Sequence, residues 1–190
     1  MNWLKKPLRI FLAVLAALQL TGCGPKKLAW TEEVKLQSGE VLLTRRTALA
    51  RPYGQIGGTG GWENEGMTVE IFAPIKPGYP GPWSARFVPL VFDRDPDTGE
   101  WFMVATFYSC TSWYDLGRPK LPYTEFRYRN GQWTQQALSE KFIGREGNML
   151  TSIHASGEPN HTLASKQILN SNPKIDPKYL RIVANWRTAC

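Results

Sequence analysis

The dipeptide Asn130-Gly131 lies between two short segments in which polar and apolar residues alternate. Both residues accept the positive backbone φ angles of a tight two-residue turn, so this pattern is the strongest short sequence signal for a β-hairpin. Residues 125–129 and 132–134 are therefore predicted to be paired antiparallel strands. A chain with this hairpin is expected to build its core on an antiparallel sheet.

Similar strand signals precede this hairpin. Residues 33–36 and 41–44 alternate in the same way around Ser38-Gly39, which predicts a second hairpin. Further predicted strands are short and rich in apolar, β-branched and aromatic residues: 67–72, 87–92 and 101–108. The sequence Asp95-Pro96-Asp97-Thr98-Gly99 is a typical turn between the last two of these strands.

Three capping signals predict short helices in the C-terminal third of the chain. Ser139 precedes a turn that ends at Phe142, and Thr162 precedes a helix over residues 163–169. Asp176-Pro177 joins a capping residue to a first-turn proline. A helix after Pro177 would place four residues on one face: Tyr179, Ile182, Val183 and Trp186. Ile182 and Val183 fit a final strand equally well.

These signals define the predicted fold class. The chain is predicted to be mainly β with an α+β tendency, as a single domain with a mostly antiparallel sheet of short hairpins and a few short helices in its C-terminal third. Its length of 190 residues fits one domain and is enough to bury a core without a structural metal. No internal repeat or low-complexity tract interrupts the pattern.

The charge pattern argues against a nucleic-acid partner. The formal charge is +7, and no run of Lys or Arg exceeds two residues, whereas nucleic-acid binding needs basic residues concentrated on one surface. The glycine-rich residues 57–61 are not followed by the Lys and the Ser or Thr that complete a phosphate-binding loop, because Trp62 comes next. A surface loop is the favoured interpretation of that segment.

Two groups of candidate metal ligands do not match a known ligand pattern. Asp93, Asp95 and Asp97 alternate as in a calcium-binding loop, but the glycine and the glutamate that such a loop needs are missing. A hairpin turn with solvated carboxylates is predicted there, with weak calcium binding as the alternative. His154 and His161 match no zinc spacing and are predicted to be exposed in loops. No cofactor is predicted, and without a recognised catalytic motif the chain is not expected to be an enzyme.

The N-terminus has the features of an export signal. Residues 1–9 contain three basic residues and no acidic one, and residues 10–20 are apolar except for Gln19. This run is about half the ~20 residues that span a bilayer as a helix, so it suits the apolar region of a signal peptide. An uncleaved N-terminal membrane anchor is the alternative.

Leu20-Thr21-Gly22-Cys23 closes this segment and resembles the lipobox of bacterial lipoproteins. The resemblance implies transfer of diacylglycerol to the Cys23 sulfur, cleavage before Cys23 and addition of a further acyl chain such as palmitate, so that the lipid bilayer becomes a partner. The implied organisation is a signal peptide over residues 1–22, a lipidated tether over 23–29 and a β-rich, periplasm-facing domain over 30–190. The implied location is the bacterial cell envelope, and Gly24 favours the outer membrane.

Several further segments resemble a group of small uncharacterised proteobacterial lipoproteins. They are the hairpin at 125–133, residues 137–142, 148–150 and 30–36, and the terminal Cys190. The resemblance covers about half of the chain after Cys23 and contains no catalytic motif. It implies a common fold and the same anchor, and it adds no activity.

Acylation of Cys23 would leave Cys110 and Cys190 as the remaining cysteines. In an oxidising periplasm these two residues are predicted to form a disulfide. Closing a loop of ~80 residues stabilises a fold by roughly 4–5 kcal/mol in the chain-entropy model. A buried Cys110 and a free Cys190 are the alternative.

Aromatic residues make up 12% of the chain. Five of them lie in or beside loop-like sequence and are candidate partner contacts: Trp62, Tyr79, Trp83, Trp113 and Tyr114. Packing at the edges of a thin sheet is the alternative. The leading hypothesis is a membrane-anchored binding or structural module whose partner is an envelope protein. The alternatives are an anchored inhibitor, immunity or phage-exclusion factor, and a protein that interacts with peptidoglycan or another cell-wall glycan.

The substitution Cys23→Ser tests the anchor. The native protein should incorporate radiolabelled palmitate and sediment with membranes, because two or three acyl chains bind a bilayer stably. The Cys23→Ser variant should incorporate no palmitate, whereas the matched variant Cys110→Ser should keep the label. Equal labelling of the native protein and Cys23→Ser, or native protein in the cytosolic fraction, would contradict the lipobox interpretation.

Overall fold

Two β-sheets form the framework of the protein, which is mainly β as predicted. The computed structural model describes residues 26–53, 61–107, 110–151 and 160–186. The first sheet has the strand order β4-β3-β2-β1-β9, and its strands are β1 (Lys26–Lys35), β2 (Val41–Tyr53), β3 (Gly61–Ala73), β4 (Trp83–Ala85) and β9 (Asn160–His161). Strands β1 to β4 pair antiparallel in chain order, and β9 pairs parallel with β1.

The second sheet is an antiparallel meander. Its strands are β5 (Val88–Arg94), β6 (Trp101–Thr106), β7 (Tyr123–Arg129) and β8 (Gln132–Gln136), each paired with the next. The short helices are α1 (Cys110–Asp115) and α2 (Leu163–Asn170), with 3-10 turns at Glu140–Phe142 and Pro177–Tyr179. No helix in the described ranges is long and apolar enough to cross a bilayer.

Both predicted hairpins are confirmed. Asn130 and Gly131 join β7 to β8 with φ angles of 51° and 78°, the positive values that the turn requires. Between β1 and β2, Gly39 has a φ of 89° and its N–H donates to the carbonyl of Leu36 at 2.9 Å. The turn residues therefore fix the strand register in each sheet.

Strand β1 begins inside the predicted tether. Lys26 pairs with Ala50, and the ladder continues without a break to Lys35 beside Val41. The last four residues of the predicted tether over residues 23–29 therefore belong to the sheet, whereas residues 23–25 lie outside the described part. The reason is that alternation of inward and outward side chains starts before Trp30, which is buried.

The inner faces of the two sheets share one apolar core. Trp83, which is 1% exposed, brings its indole from β4 edge-on to Phe126 of β7, with ring centroids 5.3 Å apart. In the same core, Phe92 of β5 stacks on Trp101 of β6 at 5.3 Å. Contacts between aromatic rings in these orientations add to the free energy of burial.

The second sheet is covered on both faces along β5, β6 and most of β7, and every residue of β6 is buried, whereas the edge strand β8 is largely exposed. Its outer face packs against the C-terminal part of the chain, where Phe142 stacks on Phe102 with ring centroids 4.3 Å apart. The hydroxyl of Tyr123 accepts the N–H of Val183 and donates to the carbonyl of Arg181. A continuous apolar run is typical of a strand with two covered faces.

The helix predictions have mixed outcomes. The side chain of Thr162 caps α2 by accepting the N–H of Ser165 at 3.2 Å, as predicted. Ser139 precedes a 3-10 turn but makes no capping bond through its side chain. Asp176 caps the 3-10 turn Pro177–Tyr179.

The prediction of a longer helix with Tyr179, Ile182, Val183 and Trp186 on one face is wrong. The chain leaves the 3-10 turn after Tyr179. It then lies beside residues 144–147, where the N–H of Ile182 donates to the carbonyl of Arg145 at 2.9 Å. This pairing buries Ile182 against the second sheet, so tertiary packing overrides the helical spacing of the sequence.

The substitution Trp83→Ala tests the position of this indole in the core. We expect the free energy of unfolding to fall by about 3–5 kcal/mol, because a large buried side chain leaves a cavity. The matched control is Tyr114→Ala, whose ring is 47% exposed and whose loss should cost about 0.5 kcal/mol. Urea unfolding of both variants measures the difference, and equal losses would contradict the core position of Trp83.

Candidate functional site

A cleft of about 600 Å³ lies where the β1–β2 turn, the β5–β6 turn and residues 141–148 meet. We call it the charged cleft, and its lining includes Lys35, Gln37, Asp93, Asp97, Arg145 and Asn148. A second hollow of about 480 Å³ continues from it along α2 and shares Lys35, Gly147 and Asn148 with it. Three parts of the chain that are distant in sequence thus form one concave surface.

Asp93 fixes one wall of the charged cleft. Its buried carboxylate accepts the backbone N–H of Gln37 at 2.8 Å and the guanidinium of Arg145. Burial raises the pKa of Asp93 by more than these hydrogen bonds and the Arg145 charge lower it. This pair connects the β1–β2 turn to the segment after Phe142, so the wall consists of two chain segments held by one carboxylate.

Asp95 fixes the next part of the wall and is only 1% exposed. It accepts hydrogen bonds from Arg127 at 2.5 Å and from Lys141 at 2.8 Å. Burial raises the pKa of Asp95, but the hydrogen bonds from Lys141 and Arg127 lower it by a larger amount. The resulting pKa is about 2. Asp95 is therefore an ionised, fully paired carboxylate at neutral pH.

The same ion network continues into the second sheet. Arg127 also binds the buried carboxylate of Glu125. That carboxylate accepts the backbone N–H of Ser139 at 2.8 Å, which holds the start of the following 3-10 turn. Arg129 pairs with Glu100 at 2.6 Å nearer the surface. The turn between β5 and β6 is thus held by basic side chains from β7 and from residue 141.

The prediction of solvated carboxylates in this turn is wrong for Asp93 and Asp95. Only Asp97 has an exposed side chain, and it pairs with Lys141 at 2.7 Å. Basic side chains that come from far along the chain cover the other two carboxylates. Within the described ranges, no group of three or more His, Cys, Asp or Glu side chains is arranged to hold a metal ion.

The rim of the charged cleft differs from its walls. Lys35 and Glu146 are exposed, and neither has an ion-pair partner among the residues that the structure describes. Ile143 also lines the cleft and is 37% exposed. The walls are therefore held by internal ion pairs, while opposite charges and an apolar side chain remain accessible at the rim.

A second buried ion cluster lies behind the hollow along α2. Glu32 of β1 pairs with Arg46 of β2 at 2.6 Å and with Lys166 of α2 at 2.9 Å. Burial raises the pKa of Glu32, but the charges of Arg46 and Lys166 lower it by more. The guanidinium of Arg46 also lies 4.8 Å from the ring centroid of Trp30. Because Lys166 lines the hollow, this cluster connects the first sheet to the candidate site.

His161 belongs to this buried region. It lies beside Glu32 in the parallel register of β9 and β1, and it is buried. Neither ring nitrogen of His161 has a hydrogen-bond partner. The prediction of an exposed loop histidine is therefore wrong here, because pairing with β1 turns the side chain inward. His154 lies outside the described residues.

The five candidate aromatic contacts do not form one surface. Trp83 is buried in the core, so its predicted role as a partner contact is wrong. Tyr79 is half-buried and donates its hydroxyl hydrogen to Glu40 at 2.5 Å. Trp113 is half-buried beside Tyr114 on α1, and its indole N–H donates to the carbonyl of Pro119. Trp62 lies in β3, and its side chain is outside the described part.

Of the three cysteines, Cys110 alone lies in the described part of the chain. Cys110 is the first residue of α1. Cys23 and Cys190 lie outside the described residues, so both the acylation and the disulfide stay predictions. In comparison with known proteins, no family model, no curated protein and no solved structure matches this chain.

Sequence reasoning missed the residues that build the charged cleft. Arg127, Arg145 and Lys141 carry no recognisable motif, and each reaches an aspartate at least 32 positions earlier. The three alternating aspartates were the available signal. They marked the right turn, but their pattern predicted solvated carboxylates and not ion pairs.

The substitution Asp95→Asn tests the buried network. We expect a loss of about 3 kcal/mol at pH 7, because two basic side chains lose their buried partner. The folded-state pKa of about 2 lies below the ordinary value of 3.8, so this stabilisation is present above pH 4 and is lost as the pH falls toward 2. Urea unfolding from pH 7 to pH 2 should therefore show the native and variant curves converging.

The matched control is Asp97→Asn, because the Asp97 carboxylate is 69% exposed. Its loss should change the free energy of unfolding by less than ~1 kcal/mol, as for other exposed ion pairs. A gap between native protein and Asp95→Asn that stays constant with pH would contradict the assignment of Asp95 as an ionised, buried partner.

Proposed function

We propose that the protein is a lipid-anchored envelope protein that binds a periplasmic partner protein through the charged cleft. The observation that supports this proposal is the position of the cleft relative to the first residue of β1. Strand β1 begins at Lys26 and ends at Lys35, which lines the cleft. A strand of ten residues is about 33 Å long, so the cleft stands well away from the anchored end.

The composition of the cleft favours a protein partner. Its rim combines the opposite charges of Lys35 and Glu146 with the accessible side chain of Ile143. Protein interfaces combine an apolar contact with a polar rim in this manner. Complementary charges on a partner would set its orientation and raise the rate of association.

The walls of the cleft favour binding without a large rearrangement. Asp93 and Asp95 are held by basic residues from several elements, so the lining side chains lose little freedom when a partner arrives. Such preorganisation lowers the entropic cost of association. The proposed role is therefore a rigid recognition surface that the anchor keeps in the periplasm.

Site-specific photocrosslinking in intact cells tests the binding role. A benzoylphenylalanine in place of Ile143 should give a discrete adduct with one envelope protein. The same residue in place of Ile168, which is exposed on α2 but does not line the hollow, should not give that adduct. The paired charge reversal Lys35→Glu with Glu146→Lys should reduce the adduct at least fivefold without changing the free energy of unfolding.

Two results would contradict the proposal. One is an identical adduct pattern from positions 143 and 168, which would show unspecific proximity. The other is full adduct yield after charge reversal, which would show that the rim charges do not recognise the partner.

A further inference from the structure

The end of the molecule at Lys26 is formed by the first sheet, by the connection between β4 and β5 and by α1. Lys26 opens β1 beside Ala50 of β2, and Ala50 pairs with Asn64 of β3. The Asn64 side chain donates to the carbonyl of Arg86 at 3.3 Å, and the Arg86 guanidinium pairs with Asp115 of α1 at 3.5 Å. We call this end, with α1 and the residues that follow it, the anchor end.

The anchor end carries an excess of positive charge. Its basic residues are Lys26, Lys27, Arg51, Arg86, Arg118 and Lys120, and all six are exposed. Its acidic residues are Glu63, Glu65 and Asp115. Arg51 and Arg86 are paired with Glu65 and Asp115, whereas Lys27, Arg118 and Lys120 have no carboxylate partner in the described part.

Accessible aromatic residues accompany these charges. The ring of Tyr114 is 47% exposed, and the guanidinium of Arg118 lies 5.1 Å from its centroid. The ring of Trp113 lies next to the ring of Tyr114, and the ring centroids of Trp113 and Trp186 are 6.4 Å apart. Trp186 and Lys120 line a cleft of about 420 Å³. Tyr, Trp and basic side chains are the residues that concentrate at the headgroup level of a bilayer.

The opposite end lacks this excess. Around the charged cleft, Lys141 pairs with Asp95 and Asp97, and Arg145 pairs with Asp93. At the surface beside it, Arg129 pairs with Glu100. These basic side chains are engaged by carboxylates of the protein, so an anionic surface would attract the anchor end more strongly.

We propose that the anchor end is a bilayer-contact surface that binds anionic phospholipid headgroups and sets the orientation of the domain. This proposal rests on the proposed acylation of Cys23. Lys26 is the third residue after Cys23, so the chain between them can reach at most ~11 Å. That distance is similar to the Debye length of about 8 Å at physiological salt, so the surface stays within range of the headgroup charge.

Lipid photocrosslinking with the full-length acylated protein tests the surface. The protein is reconstituted in vesicles of 70% phosphatidylcholine and about 30% phosphatidylglycerol, with benzoylphenylalanine at position 114 or 143. One basic residue near an anionic surface changes partition about fivefold. With several such residues, we expect at least tenfold more lipid adduct at position 114 than at position 143, and a several-fold loss at position 114 in vesicles of phosphatidylcholine alone.

Charge reversal supplies the matched control. Arg118→Glu with Lys120→Glu should reduce the adduct at position 114 at least tenfold while the protein stays in the vesicle fraction. Lys76→Glu with Arg94→Glu changes the net charge equally at the opposite end and should leave the adduct unchanged.

Different results separate the two proposals. Equal adducts at positions 114 and 143 in an acylated, vesicle-bound protein would overturn the contact surface and leave the anchor standing. An equal loss of adduct in the Arg118/Lys120 variant and in the Lys76/Arg94 variant would also overturn the contact surface, because net charge alone would then explain the binding. A protein without an acyl chain would overturn the anchor and this surface together.

Discussion

The buried carboxylate of Glu32 holds together four parts of the chain. It pairs with Arg46 of β2 and Lys166 of α2, and it accepts the backbone N–H of Leu150 at 2.8 Å. Without it, two cations would remain in an apolar interior, which costs about 3–5 kcal/mol when a buried pair is broken. The docking of α2 and of the chain near Leu150 onto the first sheet therefore depends on this one side chain. The hollow beside the charged cleft depends on it as well, because Lys166 forms part of its lining.

A second consequence of burying charges is specificity of packing. Apolar side chains tolerate sliding and exchange, whereas an ionised group in the interior accepts only the arrangement that supplies its partners. Asp93, Asp95 and Glu125 each accept hydrogen bonds from more than one chain segment. The turn between β5 and β6 and the C-terminal layer therefore have one mutual position that satisfies all three carboxylates.

The parts of the fold that the sequence predicted are those with local causes. Asn130-Gly131 and Ser38-Gly39 determine their hairpins because positive φ angles and alternation act over a few residues. The cap of α2 at Thr162 is local for the same reason. The burial of Trp83 comes from packing against Phe126 of β7, and the inward turn of His161 comes from pairing with β1. Both partners lie far away in sequence. No pattern along the chain contains that information.

The candidate site shows the same division. The turn at 95–99 was predictable, but its chemistry was not, because Asp95 finds Arg127 and Lys141 at separations of 32 and 46 residues. The helical spacing of Tyr179 and Ile182 failed for a related reason. Residues 144–147 offer backbone partners to Ile182, and burial against Phe102 outweighs the helical preference.

The pairing of β1 also determines how the domain carries mechanical load. Ten consecutive residues of β1 are paired with β2, and their hydrogen bonds run perpendicular to the strand axis. Tension applied at Lys26 and directed along that axis would load the whole ladder in shear and would not peel the bonds apart one by one. A force transmitted from the first residues of the strand to the opposite end of the molecule is thus shared among many hydrogen bonds. Strand β1 therefore resists extension as a unit with β2.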